Sequence, residues 1–292
     1  MIKSSSLINN YSSITLKAPA KINWFLTVLR KRKDGFHDIE TLMQCIGLYD
    51  IIHFNNSDKI EVVCDLNIPL QDNLVFKAAS LLKGYASYKK GVRITLRKNI
   101  PISAGLGGGS SDAAYTLSGL NKFWGLGLTK DELMKLGLEI GSDVPFFLES
   151  DIFAFVEGRG EKITPLHIRA DIIFLIVKPS IAISTHWVYK NIVRLTNRTV
   201  DIKLFCQTLN NKDFISLGEM LINDLESVVV KTYPVVKEIK EKLLEKGALI
   251  SAMSGSGPTV FGVFESVEKA SSASMAFRDC WTAVVHSPPK LD

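Results

Sequence analysis

The stretch of sequence that decides the fold is Arg93–Asp112, which reads RITLRKNIPISAGLGGGSSD. A strand at Val92–Arg97 is predicted to run into a loop with four glycines in five residues, and a helix is predicted to begin at Ser110 or Ser111. Glycines let the backbone approach a ligand closely and adopt positive φ angles. Consecutive amide N–H groups at the start of a helix can converge on an anion. The stretch is therefore predicted to hold a phosphate group.

The loop does not match the two most familiar glycine-rich nucleotide motifs. A Walker loop requires GxxxxGK[ST], and no lysine follows these glycines. A dinucleotide fingerprint requires GxGxxG, but Ser110 stands where the third glycine would be. A flexible turn in front of a helix cap remains an alternative interpretation. Taken alone, the loop favours phosphate binding only modestly.

The elements on either side of the loop indicate an α+β protein. Asn73 would cap a helix at 74–85, and Thr129–Glu132 fits a capping box that opens a helix to about residue 140. Strands and helices alternate without regular βαβ units, which favours two lobes. We place these lobes at 1–167, with a loose tail at 1–13, and at 168–292. The other predicted strands are 14–18, 22–29, 50–54, 60–64, 172–177, 248–253, 260–264 and 282–285, and the other helices are 184–193, 267–277 and segments around Leu204, Leu217 and Val235.

The composition is that of an ordinary globular protein. Of the 292 residues, 46% are hydrophobic and 22% are charged, and 35 basic against 30 acidic residues give a formal charge of +5. This excess suits phosphorylated ligands but is too small to indicate nucleic acid. The longest apolar run, Ile172–Val177, is too short to span a membrane, and the four cysteines form no CxxC pair. We therefore expect a cytoplasmic protein with no nucleic-acid or membrane partner, either a monomer or a weak homodimer.

Three other segments carry polar or small residues in positions that suit a ligand site. Lys21 and Asn23 lie two apart on a predicted strand, so their side chains share one face among apolar neighbours. The turn Ser254–Thr259, SGSGPT, holds more small residues than a simple hairpin needs. Asp143 follows a predicted helix end and precedes an apolar stretch. A structural loop at Ser254–Thr259 and an ordinary turn residue at Asp143 remain open alternatives.

Together these segments resemble the GHMP kinases, the superfamily of galactose, homoserine, mevalonate and phosphomevalonate kinases. The order is diagnostic: PAKIN at 19–23, then PISAGLGGGSSDAA at 101–114, then SGSGPT at 254–259. Within the superfamily the likeness is to the branch that phosphorylates a cytidine-diphosphate-linked methylerythritol in non-mevalonate isoprenoid biosynthesis. The segments that support this branch are RKDGFH at 32–37, TLMQ at 41–44, GSDVPFF at 141–147 and NDLE at 223–226.

The resemblance, which runs from about residue 16 to the last strand, also implies a fold and a set of roles. It implies a ribosomal-protein-S5-like N-terminal lobe, a ferredoxin-like C-terminal lobe, and the use of ATP with Mg²⁺. Asp143 would take the proton from the attacking 2-hydroxyl, and Lys21 would pair with Asp143 and favour its ionised form. The implied ATP-binding residues are Pro101, Gly105, Leu106, Gly107, Gly108, Gly109, Ser110 and Ser111. The implied substrate-binding residues are Asn23, Phe36, His37, Thr185 and Tyr189, with His37 at the cytosine edge and the rings of Phe36 and Tyr189 on either side of the base.

The chain departs from the family pattern at one substrate residue and leaves the metal ligands open. Phe36 stands where the family usually has tyrosine; stacking needs only the ring face, so phenylalanine serves without the hydroxyl's hydrogen bond. No carboxylate is marked as a magnesium ligand, so the metal is expected to be held by ATP oxygens, Ser111 and water. Another small-molecule kinase of the superfamily and a catalytically silent ligand sensor remain alternatives. The joint presence of Lys21, Asp143 and the loop glycines argues against the sensor.

Overall fold

The computed structural model describes residues 12–149, 151–192 and 199–288, and within these ranges the chain forms two sheets with helices packed against them. Residues 1–11 of the predicted tail and the end of the predicted helix 184–193 lie outside the described residues. The strands are β1 (Ser13–Lys31), β2 (His37–Ser57), β3 (Ile60–Cys64), β4 (Gly91–Arg97), β5 (Phe153–Gly158), β6 (Lys162–Leu166), β7 (Ile173–Pro179), β8 (Ile250–Met253), β9 (Val260–Phe264) and β10 (Cys280–His286). The helices are α1 (Leu74–Tyr85), α2 (Gly108–Phe123), α3 (Lys130–Ile140), α4 (Val144–Leu148), α5 (Thr185–Lys190), α6 (Ile202–Asn210), α7 (Phe214–Met220), α8 (Glu226–Thr232), α9 (Val235–Glu245) and α10 (Val267–Ser274).

The first sheet is organised around the long strand β2. The sheet runs β3-β4-β2-β5-β6, and β1 pairs antiparallel with β2 along nearly its whole length. Residues 51–57 of β2 pair with β4 and residues 39–44 pair with β5, so β2 joins the two parts of the sheet. Helices α1 and α2 cover this sheet through apolar faces, because Val75, Ala78 and Leu82 of α1 and Ala113, Leu117 and Leu120 of α2 are all buried in one core. The glycine-rich loop therefore lies between a central strand, β4, and a helix anchored in that core.

The second sheet, in the order β10-β7-β9-β8, is antiparallel throughout and shares an apolar core with the first. Trp24 of β1 is 1% exposed and meets Phe174, Phe205 and Phe261 edge-on, with ring centroids 5.9, 6.3 and 5.7 Å away. Edge-to-face aromatic pairs at such distances add to the free energy gained by burial. Because Trp24 of the first sheet packs on three aromatic rings from the second half of the chain, this core fixes one sheet against the other.

Local sequence signals predicted several elements correctly. Asn73 caps α1, where its side chain accepts from the Val75 amide, and the capping box at Thr129 and Glu132 opens α3 as expected. The α+β class is confirmed by the two sheets and their helices. The boundary at 167 between independent lobes stays a prediction, although the first sheet ends at Leu166 and the second begins at Ile173.

Other predicted boundaries were wrong for identifiable reasons. The strands predicted at 14–18 and 22–29 are one strand, because the irregularity at Pro19 is absorbed by a register shift and pairing with β2 resumes at Ala20. Strand β2 is much longer than the predicted 50–54. The prediction missed its first part because residues 41–46 are buried on both faces and show no alternation of apolar and polar residues. The last helix ends at Ser274 instead of residue 277. Among the described residues, no helix is long and apolar enough to cross a membrane.

Candidate active site

A cavity of about 820 Å³ opens where β1, the glycine-rich loop and the Ser254–Thr259 turn come together. Every site residue predicted from the sequence lines this cavity except Ser111. The segments that meet here are distant along the chain, and no single sequence window contains them. The structure thus brings the separately predicted segments into one site.

The cavity contains a pair of opposite charges, one buried and one reachable. Lys21 Nζ lies 3.6 Å from Asp143 Oδ2, and the Lys21 side chain is 5% exposed against 34% for Asp143. Asp143 is the N-cap residue of α4, yet its side chain makes no capping hydrogen bond. The carboxylate is therefore free to meet a ligand, while the ammonium group holds it from the protein side.

Strand β1 positions Lys21 and Asn23 on the same face, as their spacing predicts. Lys21 Nζ donates to Asn23 Oδ1 at 2.5 Å, and Asn23 Nδ2 donates to Thr41 Oγ1 at 2.8 Å. Thr41 in turn donates to the Phe25 carbonyl. This buried chain of hydrogen bonds gives Lys21 and Asn23 polar partners among their apolar neighbours, which offsets the cost of burying them.

The glycine-rich loop is held from both halves of the protein. The Lys21 amide donates to the Leu106 carbonyl at 2.9 Å, which joins the loop to β1. Ser254 Oγ donates to the Gly105 carbonyl at 3.1 Å and accepts from the Asn23 amide at 3.3 Å. Gly105 has φ +75°, and a β-carbon there would lie 2.5 Å from the Ser254 carbonyl oxygen. The second glycine-rich turn thus braces the first.

Helix α2 begins at Gly108, earlier than the predicted start at Ser110 or Ser111. Gly107 is its N-cap with φ +69°, and a β-carbon at Gly108 would come within 2.9 Å of Ile100 Cγ2, so glycine is required by packing although it is a poor helix former. The first amides of a helix lack partners within it, and Gly108, Gly109 and Ser110 all line the cavity. These three amides are placed to receive an anion.

Ser111 is the one predicted residue that the structure does not bring to the cavity. Because α2 starts at Gly108, Ser111 is its fourth residue, with a side chain that is completely buried. Its amide donates to the Gly107 carbonyl at 2.9 Å, and its Oγ has no hydrogen-bond partner among the described residues. The hydroxyl belongs to the helix interior, so its predicted contacts with phosphate and magnesium stay predictions.

A buried cluster of three charges, which sequence reasoning did not predict, lies beneath the loop. Lys98 Nζ donates to Asp112 Oδ2 at 2.6 Å and to Asp50 Oδ2, and all three side chains are at most 3% exposed. Asp50 also accepts from the amides of Asn99 and Ile100 at 2.6 and 2.8 Å. Burial raises the pKa of the Asp112 carboxyl to about 7, against the lowering effect of Lys98. The cluster ties the segment that enters the loop to the helix that leaves it.

Aromatic side chains line another part of the cavity. The imidazole of His37 stacks on Tyr189 with centroids 5.3 Å apart, and burial followed by the charge of Lys31 lowers the pKa of His37, which is therefore neutral at pH 7. Thr185, at the start of the same helix as Tyr189, shares a 2.8 Å hydrogen bond with Ser256. Phe36 instead has the Arg159 guanidinium 5.0 Å from its ring centroid. The predicted placement of a base between Phe36 and Tyr189 stays a prediction.

Around the loop, the lining is apolar in a way that sequence reasoning missed. A β-carbon on Gly109 would lie 3.4 Å from Leu74 Cδ1, so the start of α1 borders the loop. Ile102 is 56% exposed although it is apolar. A pocket lined by several apolar side chains can take a flat, weakly polar group. The apolar residues of this part are Ile68, Leu74, Leu96 and Ile102.

Comparison with known families decides what kind of site this is. Residues 73–151 match the model of the GHMP kinases N terminal domain, and residues 202–282 match that of the GHMP kinases C terminal domain, together more than half of the chain. The chain belongs to the GHMP kinase family. The N-terminal match contains both the loop and Asp143, whereas Lys21, His37 and Tyr189 of the cavity lining lie outside both matched ranges.

Individual GHMP kinases resemble the chain along nearly its full length. The 4-diphosphocytidyl-2-C-methyl-D-erythritol kinase of Thermodesulfovibrio yellowstonii is 45% identical over 283 residues, which cover 94% of this chain and 98% of the relative. The enzyme of the same name from Pelobacter propionicus is 45% identical over 267 residues, 89% of this chain and 93% of the relative. Both likenesses include the lobe with the loop and the lobe with the Ser254–Thr259 turn.

Solved structures of GHMP kinases share the fold. A crystal structure of 4-(cytidine 5'-diphospho)-2C-methyl-D-erythritol kinase superposes with a TM-score of 0.81 and 30% identity, covering 94% of this chain and all of that one. A homoserine kinase from Cytophaga hutchinsonii superposes with a TM-score of 0.72 at 19% identity, covering 100% of this chain and 98% of that one. The second likeness shows the fold alone.

Proposed function

We propose that this GHMP kinase transfers the γ-phosphoryl group of ATP to the 2-hydroxyl of 4-diphosphocytidyl-2-C-methyl-D-erythritol, in non-mevalonate isoprenoid precursor biosynthesis. Relatives of that name at 45% identity support the substrate. The observation that carries the proposal is that one cavity holds a phosphate loop, the Lys21–Asp143 pair and the His37–Tyr189 stack. The first two suit transfer of a phosphoryl group from ATP to a hydroxyl, and the aromatic side chains suit a cytosine base.

The Lys21–Asp143 pair supplies the proton chemistry of the proposed reaction. Asp143 accepts the proton of the acceptor hydroxyl and orients that oxygen towards the phosphorus. Lys21, held by Asn23, keeps the carboxylate in place and offsets the negative charge that develops during transfer. The amides of Gly108, Gly109 and Ser110 receive phosphate oxygens of ATP, and the apolar surface at Leu74 and Ile102 takes the adenine ring.

Magnesium is part of the proposal as a companion of ATP. Among the described residues, no group of three or more His, Cys, Asp or Glu side chains could hold a metal ion by itself. Mg²⁺ in phosphoryl-transfer sites is held by substrate phosphates and water with one or two protein oxygens, and the cavity offers those of Ser110 and Asp143. Bound there, the ion would neutralise charge on the phosphates. The residues present fit that mode of binding.

The compartment is proposed from the state of the cysteines. Cys45, Cys64, Cys206 and Cys280 are all free, which suits a reducing compartment and hence the cytoplasm.

The direct test of the proposed function is a phosphoryl-transfer assay with competing acceptors. Purified protein with radiolabelled ATP and Mg²⁺ is given the cytidylated methylerythritol, mevalonate, homoserine or galactose. We expect label to appear on the first acceptor alone. Transfer to mevalonate or a sugar with none to the cytidylated substrate would assign the site to another GHMP kinase activity, and transfer to no acceptor would point to a silent ligand sensor.

Replacing His37 by phenylalanine tests the recognition of the base. A neutral imidazole offers one donor and one acceptor, so His37 can either accept from the amino group of cytosine or donate to its ring nitrogen. His37→Phe keeps a ring for Tyr189 but removes both nitrogens. We expect the KM for the cytidylated substrate to rise about 10- to 100-fold, with the KM for ATP unchanged.

Two comparisons control that measurement. His53→Phe removes an imidazole that shares a hydrogen bond with Thr15 and does not line the cavity, and should change neither KM. His37→Ala removes the ring stack as well and should raise the substrate KM further. An unchanged KM in His37→Phe would mean that His37 does not contact the base.

Replacing Gly105 by alanine tests the bracing of the loop by the second turn. The new β-carbon would meet the Ser254 carbonyl oxygen at 2.5 Å and that of Gly257 at 2.9 Å, so the loop must move away. Because a shift of about 1 Å in a catalytic group costs about 100-fold in rate, we expect kcat/KM for ATP to fall by about that factor.

Gly125→Ala is a matched control for the backbone strain at Gly105. Gly125 also has a positive φ, +64°, but nothing lies within 4 Å of its β-carbon position. Gly125→Ala should lose about 1–2 kcal/mol of unfolding free energy, since an L-residue is strained in this conformation, and Gly105→Ala should lose more because its β-carbon also meets backbone oxygens. Only Gly105→Ala should change the kinetics; equal kinetics for both variants would show that the contact with Ser254 does not position the loop.

A further inference from the structure

Arg159 is a positively charged residue that lines the cavity and has no role in the proposed phosphoryl transfer. It lies in the turn between β5 and β6, flanked by Gly158 and Gly160, which have φ values of +71° and +121°. Its guanidinium lies over the ring of Phe36, 5.0 Å from the centroid. Among the described residues, its side chain has no carboxylate within salt-bridge distance and makes no hydrogen bond.

The other cations of the cavity lining are already bound to carboxylates. Lys21 faces Asp143, and Lys98 is enclosed by Asp50 and Asp112. Asp34 also lines the cavity near Arg159, but its carboxylate is bound by Arg32 at 2.9 Å. The hydrogen bond from Arg32 is the main reason why the pKa of Asp34 lies below its ordinary value, and the charge of Arg159 adds only the smallest contribution. The positive charge of Arg159 is therefore free for a ligand.

The turn that carries Arg159 lies between the two places where the proposed substrate is held. On one side the guanidinium contacts Phe36, the neighbour of the base-reading His37. On the other side Gly160 packs so tightly on Ser142, the neighbour of Asp143, that a β-carbon at Gly160 would lie 2.7 Å from the Ser142 carbonyl oxygen. A substrate with its base at His37 and its reacting hydroxyl at Asp143 must pass its diphosphate between these two contacts.

We propose that Arg159 binds the diphosphate of the acceptor substrate and, through the Phe36 ring, couples recognition of the base to recognition of the phosphates. The proposal rests on the proposed function and names the residue that distinguishes a cytidine diphosphate from cytidine. Guanidinium matches phosphate with two parallel N–H donors, and these charge-assisted hydrogen bonds are about twice as strong as neutral ones. Its contact with the Phe36 face holds the side chain near this position before the substrate arrives.

The test compares the affinity of the protein for a nucleoside and two of its nucleotides, which differ only in the number of phosphate groups. Cytidine, cytidine monophosphate and cytidine diphosphate are titrated by calorimetry into the wild-type protein, Arg159→Gln and Arg159→Lys. We expect Arg159→Gln to bind cytidine diphosphate at least about tenfold more weakly and cytidine with unchanged affinity. Arg159→Lys keeps the charge without the fork and should recover part of the loss. The KM for ATP should stay the same in both variants.

The possible outcomes separate this proposal from the proposed function. If Arg159→Gln loses affinity for cytidine and cytidine diphosphate equally, Arg159 supports only the ring, and the proposal is wrong. If Arg159→Gln binds cytidine diphosphate as well as the wild type does, the proposal is wrong while the proposed function stands. If the wild type binds none of the three compounds, both are wrong. Arg93→Gln, which removes a half-exposed arginine of β4, is the control for loss of a positive charge elsewhere and should bind all three normally.

Discussion

Asp143→Asn is expected to lower kcat for phosphoryl transfer by about 10²- to 10⁴-fold, the range in which a general base contributes. The substitution keeps the shape of the side chain and removes its capacity to accept the hydroxyl proton. Asp143 makes no capping hydrogen bond to α4, so the exchange does not uncap that helix. The affinity for ATP measured without Mg²⁺ should be unchanged, because the loop and its amides lie outside the altered group. Single-turnover transfer with saturating substrates measures the effect.

The control for this variant is an aspartate at another helix start. Asp131 is an exposed residue in the first turn of α3 and does not line the cavity, so Asp131→Asn should have the parent's kcat. Thermal unfolding of both variants checks that neither loses its fold. Turnover of Asp143→Asn at the parent's rate would show that another group takes the proton.

Lys98→Met is expected to lower the free energy of unfolding by about 3–5 kcal/mol, the usual result of leaving buried charges without their partner. Without the ammonium group, Asp50 and Asp112 would face each other as two buried carboxylates. Methionine fills nearly the same volume, so a cavity contributes little to the loss. Urea unfolding at pH 8, above the Asp112 pKa of about 7, measures the effect with the Asp112 carboxyl ionised in the parent.

The pH and the partner residues distinguish this effect from a general defect. Because the pKa of Asp112 is raised, the folded protein holds its proton more readily than the unfolded chain, and lowering the pH removes the repulsion. The loss in Lys98→Met should therefore shrink at pH 5, and adding Asp112→Asn should restore much of the stability at pH 8. Lys59→Met, at an 80% exposed lysine beside Glu61, should cost less than about 1 kcal/mol. A loss in Lys98→Met no larger than in Lys59→Met would contradict the expected role of the cluster.

The sequence predicted best what depends on neighbouring residues. The caps at Asn73 and Thr129 are local hydrogen bonds, so residue type and spacing were enough to locate α1 and α3. The start of α2 was misplaced because its cause is not local. Glycine disfavours a helix, and its close packing on Ile100 is a contact that residue spacing does not show. Ser111 consequently lies inside the first turn of α2, and its predicted contacts with phosphate and magnesium stay predictions.

The site shows the same division between local and distant causes. The motifs named the residues of the loop and the Lys21–Asp143 pair, and the structure brings them to one cavity. Lys98 looked like an ordinary charged residue at the end of a strand, since its partner Asp50 lies 48 residues away. The place of Arg159 in the cavity could likewise not be predicted, because it depends on contacts of its turn with Phe36 and Ser142, which are distant in sequence. Charge pairing over long separations is what a single sequence hides.

The residues proposed for phosphoryl transfer lie on different elements from Phe36, Tyr189 and Arg159, which are proposed for substrate recognition. The Lys21–Asp143 pair and the glycine-rich loop lie on β1 and at the starts of α2 and α4, elements that pack into the buried cores. Phe36 and Arg159 lie on two short turns, and Tyr189 lies on a six-residue helix. Substitutions in these short segments can therefore change which acceptor binds while the residues for phosphoryl transfer stay in place. Such modularity is a physical route by which one scaffold evolves specificity for new acceptors.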